Sequence, residues 1–233
     1  MIKLWLLLIL FGCTAFADDT LIADLHDLPD DLKAQVQGLD DNQRAYLIQM
    51  LSENWPGDLL IQGTTIVFDR CVSVGQVVSG VAFIGEYKIG TSMWVTGIST
   101  DSITDDSVVD TDGFAFLVSG TERYATAIGG SNTVVKLQAF STEAADDIIQ
   151  SLLMRRGYRL FRFEKLSRFD EDRPWKMYHV SSVSRTSAEV TSLGEKRSGR
   201  VQAKYFSQEA QQWLINKDNI SAMKKAKREW DAR

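Results

Sequence analysis

Between Leu59 and Phe140 the chain carries one run after another of β-branched and aromatic residues, with no helical stretch between them. Thr64–Phe68, Met93–Val95, Phe114–Val118 and Thr133–Leu137 are the clearest, and Gly, Asp, Ser and Asn punctuate them. Such residues suit a pleated, half-buried surface, and the punctuation supplies turns. Strands that follow one another without crossover helices pair antiparallel. The stretch therefore predicts a mainly antiparallel sheet. From Cys71 to Gly85 there is no charge, and Gly75, Gly80, Gly85 and Gly90 recur every five positions. On a helix that spacing turns successive glycines about 140° apart and gives no common face. Strands with bulges or turns at the glycines account for it better.

Helical periodicity flanks the strands and makes the whole an α+β fold. Leu32, Val36 and Leu39 recur at helical spacing; Asp40-Asp41 then offers a fresh N-cap for a second helix with Tyr46, Leu47, Met50 and Leu51 on one face. Asn54-Trp55-Pro56-Gly57 closes this helical pair. Ser141 is the expected cap of a central helix, with Ala144, Ala145, Ile148, Ile149, Leu152 and Leu153 as its apolar positions. Acidic residues favour its start, Arg155 and Arg156 its end, and Gly157 stops it. Tyr158–Phe163, Trp175–Val183 and Ala188–Leu193 read as further strands, and Ser207–Arg233 as a helix that is basic at its end. The expected organisation is a leader over 1–17, an acidic lead and helical pair over 18–57, and one α+β domain over 58–233.

The leader sets the compartment. Lys3 precedes the apolar run Leu4–Phe11, and Ala15-Phe16-Ala17 matches a small-x-small cleavage site. Eight apolar residues span about 12 Å as a helix, far short of a bilayer core. The expectation is a periplasmic or secreted protein cleaved after Ala17. Leu10-Phe11-Gly12-Cys13 offers the alternative of a lipoprotein acylated at Cys13 and held at a membrane. After cleavage at Ala17 only Cys71 remains, so no internal disulfide forms and packing must supply stability. A free cysteine in a strand-like apolar run is expected to be buried. No mature segment is long enough to cross a membrane as a helix.

Charge divides unevenly along the mature chain. Residues 18–150 carry 21 acidic and 6 basic side chains, and residues 151–233 carry 10 acidic and 19 basic. Such asymmetry either pairs the two halves within one molecule, the simpler expectation, or marks a surface for an anionic partner. Nucleic acid does not fit an exported acidic protein. Anionic lipid or an envelope polymer does, through Lys224, Lys225, Lys227 and Arg228.

Chemistry-bearing constellations are weak. The only histidines are His26 and His179, so a thiol hydrolase would need Cys71 and His179 to meet in the fold. A glycosidase would need a carboxylate pair that no spacing selects, although Trp55, Trp94 and Trp175 offer rings for stacking on sugars. Asp106, Asp110 and Asp112 before Gly113 resemble a loose calcium loop, but Val108 stands where its first ligand belongs. Asn219-Ile220-Ser221 is a glycosylation sequon in a eukaryotic setting. No cofactor motif is present. The expected function is therefore an exported cell-envelope protein that binds a protein or an envelope polymer without catalysis, with the hydrolase and the lipoprotein as alternatives.

Overall fold

The computed structural model describes residues 28–51, 60–68, 71–80, 82–86, 91–125, 129–162, 175–193 and 198–233. The leader, Cys13, His26 and Trp55 lie outside these, and Trp175 is described in its backbone alone. The fold is α+β. Its helices among the described residues are α1 Asp30–Gly38, α2 Asp41–Leu51, α3 Glu143–Arg155, α4 Gln208–Ile215 and α5 Lys217–Asp231. The strands are β1 Thr65–Ile66, β2 Val72–Ser79, β3 Ala82–Glu86, β4 Ser92–Thr96, β5 Val108–Val109, β6 Phe114–Ala125, β7 Ser131–Ser141, β8 Arg159–Arg162, β9 Trp175–Val183, β10 Ser187–Ser192 and β11 Ser198–Gln202.

The helical pair forms for the reasons its sequence gives. Asp40 caps α2 in a reciprocal box: its Oδ1 accepts the Gln43 amide at 2.8 Å, and Gln43 Oε1 accepts the Asp40 amide at 3.2 Å. Tyr46, Leu47, Met50 and Leu51 are all buried. They pack with Ala145, Ile148, Ile149, Leu152 and Leu153 of α3 in one cluster. The cap of α3 is Thr142 rather than Ser141, because Ser141 is still paired with Phe114 at the end of β7. Gly157 ends the element at φ +76°, where the Tyr158 amide reaches back to the Leu153 carbonyl at 2.8 Å. The C-terminal helix is broken in two at Asn216, whose side chain caps α5 by accepting the Asp218 amide at 2.9 Å.

Among the described residues the mainly antiparallel sheet of the 59–140 region has seven strands in the order β1-β6-β7-β4-β3-β2-β5, and the later strands form a second sheet of four in the order β11-β10-β9-β8. All these pairings are antiparallel except β4 with β7. That pair runs parallel because the chain between them makes a crossover containing β5 and β6. Two of the recurrent glycines act as expected: the β2–β3 register shifts across Gly75, and Gly80 sits in the turn. Ile66 and Val109, from the two edge strands of the large sheet, share one apolar cluster with Phe83, Met93, Val95, Phe116 and Leu137. The sheet therefore curls around its own core. Its other face meets the helices at Ala115 and Phe140, and the same cluster takes in Leu160 and Met177 of the small sheet. The opposite side of the small sheet buries Phe161, Tyr178, Val180 and Val190 beneath Phe206, Leu214 and Met223.

Candidate functional site

Cys71 and His179 are not a pair. Strand alternation sends Val72 and Val74 into the core of the large sheet and leaves Cys71 exposed, which corrects the expectation of a buried thiol. His179 belongs to β9 in the small sheet. Its Nδ1 hydrogen donates to the Gly157 carbonyl at 2.7 Å, and its ring meets Tyr158 edge-on at 6.1 Å. Burial lowers its pKa; the Gly157 bond partly opposes this, and the nearby Lys227 charge adds to it. A neutral imidazole with a fixed tautomer follows. Among the described residues no hydrogen bond joins it to Cys71. Native-state alkylation should modify Cys71 at the rate of the unfolded chain; resistance until denaturation would contradict its exposed position.

The acidic loop is occupied with its own backbone. Asp105 Oδ1 accepts the Val77 amide at 2.6 Å, and Asp110 Oδ1 accepts the Asp112 amide at 3.0 Å. Asp106 takes φ +65°, a conformation that Asp tolerates in turns. Among the described residues no group of three metal-capable side chains comes together, so Asp106, Asp110 and Asp112 form no ligand set.

The structure instead assembles a cleft that no sequence spacing announced. It encloses about 200 Å3 and is lined by Tyr46, Phe68, Asp112, Phe114, Thr142 and Asp146 among others. Helix α2 supplies Tyr46, and the first turn of α3 supplies Asp146. Tyr46 Oη donates to Asp146 Oδ1 at 2.8 Å, and Thr142 Oγ1 donates to Oδ2 at 2.6 Å. Burial raises the Asp146 pKa, while the two hydroxyl donors hold it down and Asp147 pushes it up. Tyr46 is raised well above its ordinary value, first by burial and then by the Asp146 carboxylate, so it remains a donor. A carboxyl of raised pKa in a cleft is what a general acid needs. Here both oxygens are engaged, Oδ1 clasping α3 to Tyr46 of α2 and Oδ2 holding Thr142 at the N-cap of α3 itself, and neither Cys71 nor His179 lines the cleft.

That clasp has a pH signature. A carboxyl whose folded pKa exceeds its unfolded value binds its proton more tightly in the folded state. Its contribution is fully present below the unfolded pKa and is lost as pH rises through the raised folded pKa. Asp146→Asn, which keeps an acceptor for Tyr46, should therefore gain stability relative to wild type as pH rises through the carboxylate range. Urea unfolding across that range checks this; a variant that holds level or loses stability relative to wild type as pH rises would contradict it.

The basic end of the chain is presented to solvent. At 100° per residue, Lys217, Lys224 and Arg228 fall within about 40° of one another on α5, and all three are exposed. Lys225 pairs with Glu229 at 3.8 Å, and Lys227 pairs with Asp231. Lys217, Lys224 and Arg228 have no ion-pair partner among the described residues. The ion pairs among the described residues fall within each half of the chain rather than between the halves. Lys33–Asp30, Arg44–Asp41 and Lys136–Glu122 stay within the acidic half, and Arg159–Glu209 stays within the basic half. Asn219 Nδ2 donates to the Trp213 carbonyl at 3.0 Å, which ties the sequon amide into the α4–α5 corner. Among the described residues no helix is long and apolar enough to cross a membrane. No family model, curated protein or solved structure matches the chain.

Proposed function

We propose that this chain is an exported protein of the cell envelope that binds an anionic envelope polymer without catalysing a reaction on it. The observation that carries the reading is the cationic edge of α5, where Lys217, Lys224 and Arg228 stand in solvent without an ion-pair partner among the described residues. The leader over residues 1–17 supports the compartment. A polyanion gains from such an edge through phosphate or carboxylate contacts and the release of its counterions. Each surface cation near a charged interface contributes about 1 kcal/mol. Three cations therefore give salt-sensitive, reversible attachment rather than permanent anchoring.

Co-sedimentation of the mature protein with purified envelope material tests this. Wild type should bind at low salt and release at high salt. Reversing two of the charges with Lys224→Glu and Arg228→Glu should weaken binding at least about tenfold, since both changes lie on an exposed helix face. Unchanged binding by the double variant would remove the basis of the proposal.

A further inference from the structure

The outer face of the large sheet is covered by the helical cluster at one end. Ala115, Leu117 and Phe140 lie against the helical cluster. Past the register shift between Val118 and Gly120, β6 and β7 continue as a two-stranded arm. Pairing of β1 with β6 stops at Leu117, and pairing of β4 with β7 starts at Val135. The register then fixes which residues share the rest of this face. Buried Ile84 and half-buried Trp94 and Lys136 stand in one cross-strand row that ends at Gly120. Two residues along, Val134 faces Glu122, and beyond them Asn132 faces Tyr124. Because side chains alternate, all of these lie on one face, opposite Met93, Val95, Val135 and Leu137 in the curled core.

The chemistry of this patch is specific. The Trp94 and Tyr124 rings lie 6.4 Å apart at 51° to one another, and both are half-buried. Lys136 Nζ and Glu122 Oε2 meet at 2.8 Å beside them, with their side chains 37% and 35% exposed. Asn132 and Gln138 add exposed amides. At Gly120 an added Cβ would meet nothing nearer than Gln62 Nε2 at 3.9 Å, so the row ends in open space. The ion pair cancels its own charge while keeping donors and acceptors at the surface. A polyanion or a cation therefore finds no net attraction here, and a lipid surface finds too little contiguous apolar area.

An uncharged sugar chain matches these features. A pyranose ring has an apolar C–H face that packs on an aromatic ring, and a rim of hydroxyls that needs mixed donors and acceptors. We propose that this face binds an uncharged glycan chain, with the tilted Trp94 and Tyr124 rings packing on sugar rings and Glu122, Lys136, Asn132 and Gln138 bonding the hydroxyls. The proposal extends the envelope-binding reading to a second face. It stands apart from the basic edge, because α5 packs on β9 of the small sheet.

Calorimetric titration with hexamers of β-1,4-linked glucose and of β-1,4-linked N-acetylglucosamine tests it. At least one hexamer should bind, and Trp94→Ala should weaken that binding about tenfold. Tyr124→Ala should weaken it severalfold, whereas Tyr124→Phe and the Lys224→Glu/Arg228→Glu variant should bind as wild type. Tyr124 lies on the arm outside the buried clusters, so Tyr124→Ala decides the matter should Trp94→Ala fail to fold. Failure of both hexamers to bind, or wild-type affinity in Tyr124→Ala, overturns the proposal. So does sedimentation showing a homodimer that Trp94→Ala dissociates, because the face would then serve a second copy of the chain. Loss of envelope binding in the charge-reversal variant with glycan binding intact would separate the two surfaces.

Discussion

Gly157→Ala should destabilise the fold by about 3 kcal/mol, chiefly by lifting α5 from the end of α3. Two costs combine. Gly157 sits at φ +76°, where an L side chain costs about 1 kcal/mol over glycine. Its α-carbon also lies against the backbone of Lys227: an added Cβ would stand 2.6 Å from Lys227 Cα and closer still to its amide nitrogen. A helix backbone cannot yield as a side-chain tip can, so relief requires α5 to move. Movement of α5 would disturb the seat of Met223, which is fully buried under the small sheet, and the His179–Gly157 bond. Urea unfolding should show a lower midpoint with little change in slope, and limited proteolysis should cut the C-terminal helix first. A midpoint equal to that of wild type would contradict the close approach.

Arg156→Ala should have a comparable effect, about 3 kcal/mol, through a different cause. Arg156 is only 7% exposed although it carries a charge. Its Nη1 donates to the Leu51 carbonyl at 3.1 Å, at the C-terminus of α2. Its guanidinium also lies 5.1 Å from the ring centroid of Trp230 on α5. One side chain thus ties three helices together. Truncation removes a charged hydrogen bond worth about 1.5–3 kcal/mol and leaves a carbonyl without that donor. It also removes the cation–π contact, worth about 0.5–2 kcal/mol. Arg156→Lys should not restore wild-type stability, because a point-charge ammonium cannot donate to Leu51 while lying flat over Trp230. A lysine variant that melts with wild type would show that charge alone suffices.

What could be read from the sequence was local. The Asp40 cap, the buried face of α2, the stop at Gly157 and the bounds of β9 all follow from signals within a few residues of the element itself. The α+β class followed from their order. Exposure of Cys71 was also legible, because the alternation of Val72, Ser73 and Val74 assigns it to the outer face. The apolar character of the run obscured that pattern. The rest depended on distant partners. Tyr46 and Asp146 are 100 residues apart, and neither carries a local mark of the other. The parallel pairing of β4 with β7 and the split into two sheets likewise arise from how distant strands meet. β11 lacked enough β-branched residues to stand out, and its pairing with β10 makes it a strand. Trp94 was visible as a ring suited to sugar, but its partner Tyr124 emerged only from the register of the arm.

Export underlies the envelope reading, since an anionic polymer and a glycan outside the cell are reached only by a protein that leaves the cytosol. The intact mass of the protein recovered from its native host, fraction by fraction, tests this most directly. The account predicts an envelope or secreted species that begins at Asp18. A chain recovered from the cytosol with Met1 still in place would contradict it.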